Sequence, residues 1–195
     1  GLTDKTWEKI KTLPYDNVES ELTKNFFDRY GNKWFRSSRN HKGTRIMEVS
    51  EARELLCIAP GRKVAVIFSH ILYDTLFFFG KDLFDSHVDW LIETVRAACR
   101  NSDVDWLIKV HPSNIWRGEL NVGNKNLYEE ERLIETNFGK LPPHVKVVHA
   151  DNGINPYTWF QMADYCITVR GTAGLEMAAL GKTTIVAGTG RYENI

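Results

Sequence analysis

Hydrophobic positions along this chain follow two different periods. Up to about residue 60, apolar side chains recur three and four apart among polar ones. Val18, Leu22, Phe26 and Tyr30 fall on one stripe of a helix. Asp16 or Asn17 is placed to cap that helix and Gly31 to end it, while Thr3 can cap an earlier helix carrying Trp7, Ile10 and Lys11. The run Ser37-Ser38-Arg39-Asn40-His41-Lys42-Gly43 reads as a loop, and Ser50 caps a short helix that ends before Pro60-Gly61.

From Lys63 onward short apolar runs alternate with helical patterns. The spacing predicts strands over Val64–Phe68, Trp106–Val110, Val145–Val148, Tyr165–Val169 and Thr183–Ala187. Helices are predicted over Ser86–Arg100, Leu127–Phe138, Pro156–Met162 and Ala173–Leu180, with Pro156 as a helix-start signal. These strands are continuous apolar runs, as expected of a parallel sheet buried on both faces. Strands interleaved with helices make βαβ units, so the expected fold is α/β, a doubly wound and mainly parallel Rossmann-like sheet with an N-terminal helical segment. Residues 1–60 are expected to form a helical extension or interdomain segment and residues 61–195 the Rossmann-like nucleotide-sugar-binding domain. Aromatic residues Trp7, Phe26, Phe27, Trp34 and Phe35 need a covering surface, so the extension is expected to dock on the domain. There is no internal repeat. The end of the chain, Arg191 to Ile195, follows directly on a strand and a Gly-Thr-Gly turn, and it reads as the edge of a fragment of a longer chain.

Composition narrows the function classes. Lys plus Arg (25) equals Asp plus Glu (25), so no global field favours nucleic acid, and any bound anion must be held locally. No run approaches the ~18 apolar residues of a membrane span, so at most a peripheral membrane association is expected. The N-terminus has no signal-peptide pattern. Cys57, Cys99 and Cys166 are far apart and odd in number, and they read as reduced, buried thiols of a cytoplasmic protein. No His, Cys or Asp cluster has metal-ligand spacing, and no cofactor is required by any motif.

In a doubly wound sheet, ligands bind at the carboxyl ends of the strands. These ends carry Ser69-His70, His111-Pro112, His149 to Asn152, Arg170 to Thr172 and Gly188 to Gly190. In the segment from Tyr165 to Gly181 an apolar strand runs into Arg170-Gly171-Thr172-Ala173-Gly174 and a helix opens at once. Free N–H groups and the helix dipole favour a phosphate there, with Thr172 capping the helix or donating its hydroxyl. Arg170 adds a cation or faces solvent, and Glu176, four residues into the helix, is in reach of a ribose. A plain strand–turn–helix with a solvated Glu explains this segment as well, since it lacks GxGxxG and the Walker lysine. A second strand ends on Lys109-Val110-His111-Pro112, which puts Lys109 and His111 on one face at its carboxyl edge. The pair can neutralise a phosphate, with His111 stabilising or protonating the departing group; a histidine closing a loop is the simpler account. Asp74, beyond Ser69-His70, is a further base candidate, and Leu76 to Phe79 reads as core or interface. His149-Ala150-Asp151-Asn152-Gly153 cradles a base through backbone atoms or forms an Asx turn; His41, His87 and His144 read as structural or surface residues.

Taken together, Lys-x-His-Pro at 109–112, Gly-Thr-Ala-Gly-Leu-Glu at 171–176 and Ala-Ala-Leu-Gly-Lys at 178–182 resemble the C-terminal domain of GT-B glycosyltransferases. Within these the chain looks most like the capsule polysaccharide biosynthesis family, which includes the Kdo transferases. The His-Pro pair is also similar to that of bacterial sialyltransferases and teichoic-acid glycerophosphotransferases. The likeness covers roughly Lys63 to Asn194. It implies that His111 and Thr172 bind the donor phosphate and Glu176 the ribose, with Ser69, His70, Pro112, Arg170, Gly171 and Ala173 around the nucleotide and His111 and Lys109 as catalytic residues. It further implies a nucleotide-sugar donor, CMP-activated before UDP or CDP, a glycan acceptor, an N-terminal GT-B domain that supplies the base, and action at the inner face of the membrane. Many relatives carry two hydroxyl residues where this chain has Gly171-Thr172, so one hydroxyl is lost. The rival readings are a UDP-sugar 2-epimerase, which needs more carboxylates than Asp74 and Asp151 supply, and a non-catalytic nucleotide-sugar-binding or export module.

Overall fold

The computed structural model describes residues 4–32, 43–72, 82–113 and 129–189. Five strands, β1 (Lys63–Phe68), β2 (Val104–Lys109), β3 (Val145–Val148), β4 (Tyr165–Thr168) and β5 (Thr183–Val186), pair in the order β3-β2-β1-β4-β5. Every pairing is parallel. Among the described residues seven helices accompany them: α1 (Asp4–Lys11), α2 (Tyr15–Gly31), α3 (Val49–Leu55), α4 (His87–Cys99), α5 (Glu129–Phe138), α6 (Pro156–Met162) and α7 (Thr172–Ala179). The fold is therefore the α/β, Rossmann-like sheet that the alternating pattern predicts.

The pleat explains how one sheet serves two cores. Val64 and Val66 of β1 point to one face, where they meet Tyr30, Ala52, Trp159, Phe160 and Met177 from α2, α3, α6 and α7. Ala65 and Ile67 point to the other, where Trp90, Leu91 and Val95 of α4 and Ile134 of α5 close over them. β1 sits in the centre, which is why its middle four residues are all buried. β5 is, with β3, an edge strand among those described, and its Ile185 and Val186 are exposed, so the expectation of burial on both faces fails there.

Helix starts differ from expectation where backbone geometry outweighs cap propensity. α2 begins at Tyr15 after Pro14, and α3 has Glu48 at its cap in place of Ser50. Ser86 does cap α4, accepting from Asp89 N–H, and Asn155 caps α6 by accepting from Tyr157 N–H. Cys57 is exposed, contrary to the expectation of three buried thiols, while Cys166 is buried and Cys99 lies between. Cys57 has a positive φ in the turn just past the end of α3, outside the helix face that packs on the core. The expected cap Thr3, the aromatic pair Trp34 and Phe35, most of the 37–43 loop and the Leu76–Phe79 run lie outside the described residues.

The central strands carry the stability. Leu107→Ala on β2, at a side chain with no exposure, is expected to cost about 2–5 kcal/mol in urea denaturation. Leu83→Ala, at a residue 79% exposed, should stay within about 0.5 kcal/mol.

Candidate functional site

Strand order places the site. Connections run one way from β1 through β2 to β3 and the other way through β4 to β5, so the carboxyl ends of β1 and β4 diverge into a crevice. A cavity of about 230 Å3 lies there. Its walls include Ser69 and His70 from β1, Lys109, His111 and Pro112 from β2, and Gly171, Thr172, Ala173 and Glu176 from α7. Two segments the sequence patterns read as 60 residues apart thus meet across one cleft.

Each side chain is held for a physical reason. The Ser69 hydroxyl, almost fully buried, donates to Glu130 Oε1 at 3.0 Å and accepts the His111 backbone N–H at 2.9 Å. The His111 ring in turn accepts the Ser113 N–H on Nδ1 at 3.2 Å, which leaves Nε2 as the proton-bearing nitrogen of the neutral ring. His70 Nε2 lies 3.0 Å from the Thr168 hydroxyl and accepts the Val169 N–H at 3.1 Å and the Arg170 N–H at 3.4 Å. The His70 ring lies 4.7 Å from that of His87 and meets Trp90 edge-on, so it is part of the wall and braces the β4–α7 turn. Ser69 and His70 build the cleft with their polar atoms turned to the protein.

Gly171, not Thr172, is the N-cap of α7, and no side chain caps it. The Thr172 and Ala173 amides are thus available to an anion, while the Gly174 N–H donates to the Gly171 carbonyl, and Thr172 stands exposed at the mouth. The missing second hydroxyl has a steric cause. A Cβ at position 171 would lie 2.9 Å from Thr168 Oγ1, inside contact distance, with the His70 ring behind it at 3.6 Å. Arg170 turns away and forms a buried ion pair with Asp82; it is not among the cleft-lining residues.

Charge inside the cleft is uneven. Burial pushes the Lys109 ammonium down to about 8, with the Trp159 ring beneath it at 5.9 Å and no carboxylate bonded to it among the described residues. Glu176 is 5% exposed, and burial raises its carboxyl while a hydrogen bond from Tyr30 and the charge of Arg29 oppose that rise. An anion at the mouth would favour the charged form of Lys109.

Sequence patterns missed several contributors. Arg29, Tyr30, Phe68, Pro156, Phe160 and Thr168 also line the cleft. Glu130 is fully buried although it lies in the middle of an acidic run, Glu129-Glu130-Glu131, and its contact with Ser69 brings it to the cleft. His149 pairs with Glu131 at 3.1 Å, and Asn152 accepts from Ile154 N–H in an Asx turn outside the cleft lining. His87 donates from Nδ1 to the Ile71 carbonyl and His144 contacts the Ala98 carbonyl, both structural. Asp74 and His41 lie outside the described residues. Among the described residues no group of His, Cys, Asp and Glu is arranged to hold a metal, and no helix is long and apolar enough to cross a membrane.

No family model matches the chain, and no curated protein matches it. Among solved structures it is similar to KpsC of Thermosulfurimonas dismutans, a β-Kdo 2,4 transferase, with a TM-score of 0.51 and 20% identity. The match covers 92% of this chain and 46% of that one, so the chain spans about half the length of that enzyme. At this identity what is shared is the fold, and it is the fold that the capsule-family resemblance implies.

A desolvated ammonium with no carboxylate bonded to it among the described residues is costly to the fold. Lys109→Met is expected to raise the melting temperature at pH 7 by a few degrees, on the order of 3 °C, while weakening anion binding. The sign follows from a lowered lysine pKa: the penalty is present below about pH 8 and fades as pH rises through that value towards the unfolded one, so the gain shrinks in alkali. Differential scanning calorimetry at pH 7 and pH 10 checks it.

Proposed function

We propose that this domain binds the nucleotide of an activated sugar and forms the donor half of a glycosyltransferase. The observation that carries the reading is the convergence of Lys109, His111 and the uncapped N-terminus of α7 on one crevice at the reversal of strand order. That set suits a nucleoside monophosphate or nucleoside diphosphate as the leaving group. As an acceptor hydroxyl attacks the anomeric carbon, the bond from that carbon to the phosphate oxygen breaks and its electron pair moves to the phosphate. Lys109, His111 Nε2–H and the amides of Thr172 and Ala173 meet the charge that develops there, which is electrostatic catalysis in a partly dry site. The base that takes the acceptor proton belongs, in this reading, to a second domain facing the cleft.

The fold shared with a Kdo transferase is in keeping with a glycosyltransferase; within this reading the reaction belongs to surface polysaccharide synthesis at the inner face of the membrane, with a CMP-activated donor ahead of UDP or CDP donors. The epimerase reading draws no support from the cleft. Glu176 is the single carboxylate in its described lining, and Tyr30 engages it.

Product analysis with CMP-, CDP- and UDP-sugars separates sugar transfer from epimerisation and from binding alone. His111→Ala is expected to lower kcat by about 10²-fold, as loss of one preorganised donor does; unchanged turnover counts against the assignment. Nucleotide affinity, measured by calorimetry, should be level below pH 8 and fall as pH rises through about 8, because Lys109 loses its charge there. Affinity that rises over that interval contradicts the role given to Lys109.

A further inference from the structure

Glu176 is held by residues 146 positions earlier in the chain. The Tyr30 hydroxyl donates to Glu176 Oε1, and an Arg29 guanidinium nitrogen lies 3.4 Å from the same oxygen. Tyr30 itself has little freedom. It is 3% exposed, its ring meets Phe160 edge-on at 5.6 Å, and its carbonyl accepts from Asn155 Nδ2 at 3.1 Å. Phe27, one turn earlier on α2, meets Tyr157 edge-on at 5.7 Å, so α2 is tied to α6 at two points. Both Arg29 and Tyr30 line the cleft with Glu176.

Since both contacts use Oε1, Oε2 is the oxygen open to a ligand hydroxyl. Glu176 lies four residues past Thr172, about 6 Å deeper along the helix, a distance that separates a phosphate from the hydroxyls of its own ribose. A carboxylate fixed there accepts from the 2′- and 3′-hydroxyls. A 2′-deoxyribose offers one donor fewer, and a buried charge left short of donors is penalised. Without Tyr30 and Arg29 the carboxylate is free to rotate, and burial favours its protonated form, which accepts less well.

We propose that Tyr30, assisted by Arg29, is a positioning residue that aims Glu176 so that the cleft takes a ribonucleotide and rejects its 2′-deoxy analogue. The inference rests on the reading of the cleft as a nucleotide site and makes helix α2 of the N-terminal segment a working part of it.

Calorimetric titration of the full chain with CMP and 2′-deoxy-CMP, and with UMP and 2′-deoxy-UMP, tests it. The unaltered protein should prefer the ribonucleotide by about tenfold, the scale of one hydrogen bond to a charged group. Tyr30→Phe keeps the ring packing and should weaken the preferred ribonucleotide about tenfold while leaving its deoxy analogue within about twofold. Arg29→Gln, at a side chain 56% exposed, should do the same at about threefold, and it decides the matter if a thermal melt shows Tyr30→Phe to be unfolded. Equal weakening of both sugars, or no change in ribonucleotide affinity, overturns the positioning role while the nucleotide site stands. If none of the four nucleotides binds the unaltered protein, the nucleotide reading falls and this inference with it.

Discussion

His70 Nε2 accepts the backbone N–H of Val169, and the rest of the cleft depends on that bond. It joins the carboxyl end of β1 to the carboxyl end of β4 at the place where the two strands part. An acceptor nitrogen must be unprotonated, so the bond sets the tautomer and with it the path of the turn into α7. The Thr168 hydroxyl, which also receives the Gly171 N–H at 3.3 Å, completes the junction. The turn then enters its helix with no room for a side chain at 171, and the helix starts with its amides uncapped. His70 and the Thr168 hydroxyl it contacts thus set the turn together, and the Thr168 hydroxyl leaves no room for a side chain at 171.

The junction places groups that the fold would be more stable without. Lys109 is a half-buried ammonium over a tryptophan, and Glu176 is a buried carboxylate. Desolvation opposes the charge of each, and neither is bonded to the other. Buried ionisable groups with opposite tendencies in one crevice are expected where a ligand supplies the missing partner. On the proposed reading an anion does so for Lys109, hydroxyl donors add to Tyr30 and Arg29 around Glu176, and a phosphorylated ribose carries both. The buried Arg170–Asp82 pair is different, because its charges are matched internally and it ties the β4–α7 turn to the segment before α4.

The N-terminal helix shows how a site borrows from outside its sheet. α2 covers part of the core face near α6, and the apolar stripe Val18, Leu22, Phe26, Tyr30 accounts for its helical form. Tyr30 ends that stripe as both a core residue and a hydrogen-bond donor. An amphipathic tyrosine can bury its ring and still deliver its hydroxyl to a carboxylate, which phenylalanine cannot do.

The alternation of apolar runs and helices determined the architecture. Burying one apolar face per element leaves few arrangements, and continuous β-branched runs select a parallel sheet. The strand ends were legible for the same reason, and so was the list Lys109, His111, Thr172, Glu176, because position at a carboxyl edge follows from order along the chain. What only the tertiary structure decided is which polar atoms face the cleft and which face the protein. Ser69, His70 and Arg170 carry the same chemistry on paper as His111 and Thr172, yet their polar atoms are bonded inward to Glu130, to the β4–α7 turn and to Asp82. Glu130, Tyr30 and Arg29 joined the site through contacts 61 and more positions away in the chain. Periodicity encodes which side of an element is apolar. It carries no record of which distant side chain comes within 3 Å of it, and that distance assigns each polar group its task.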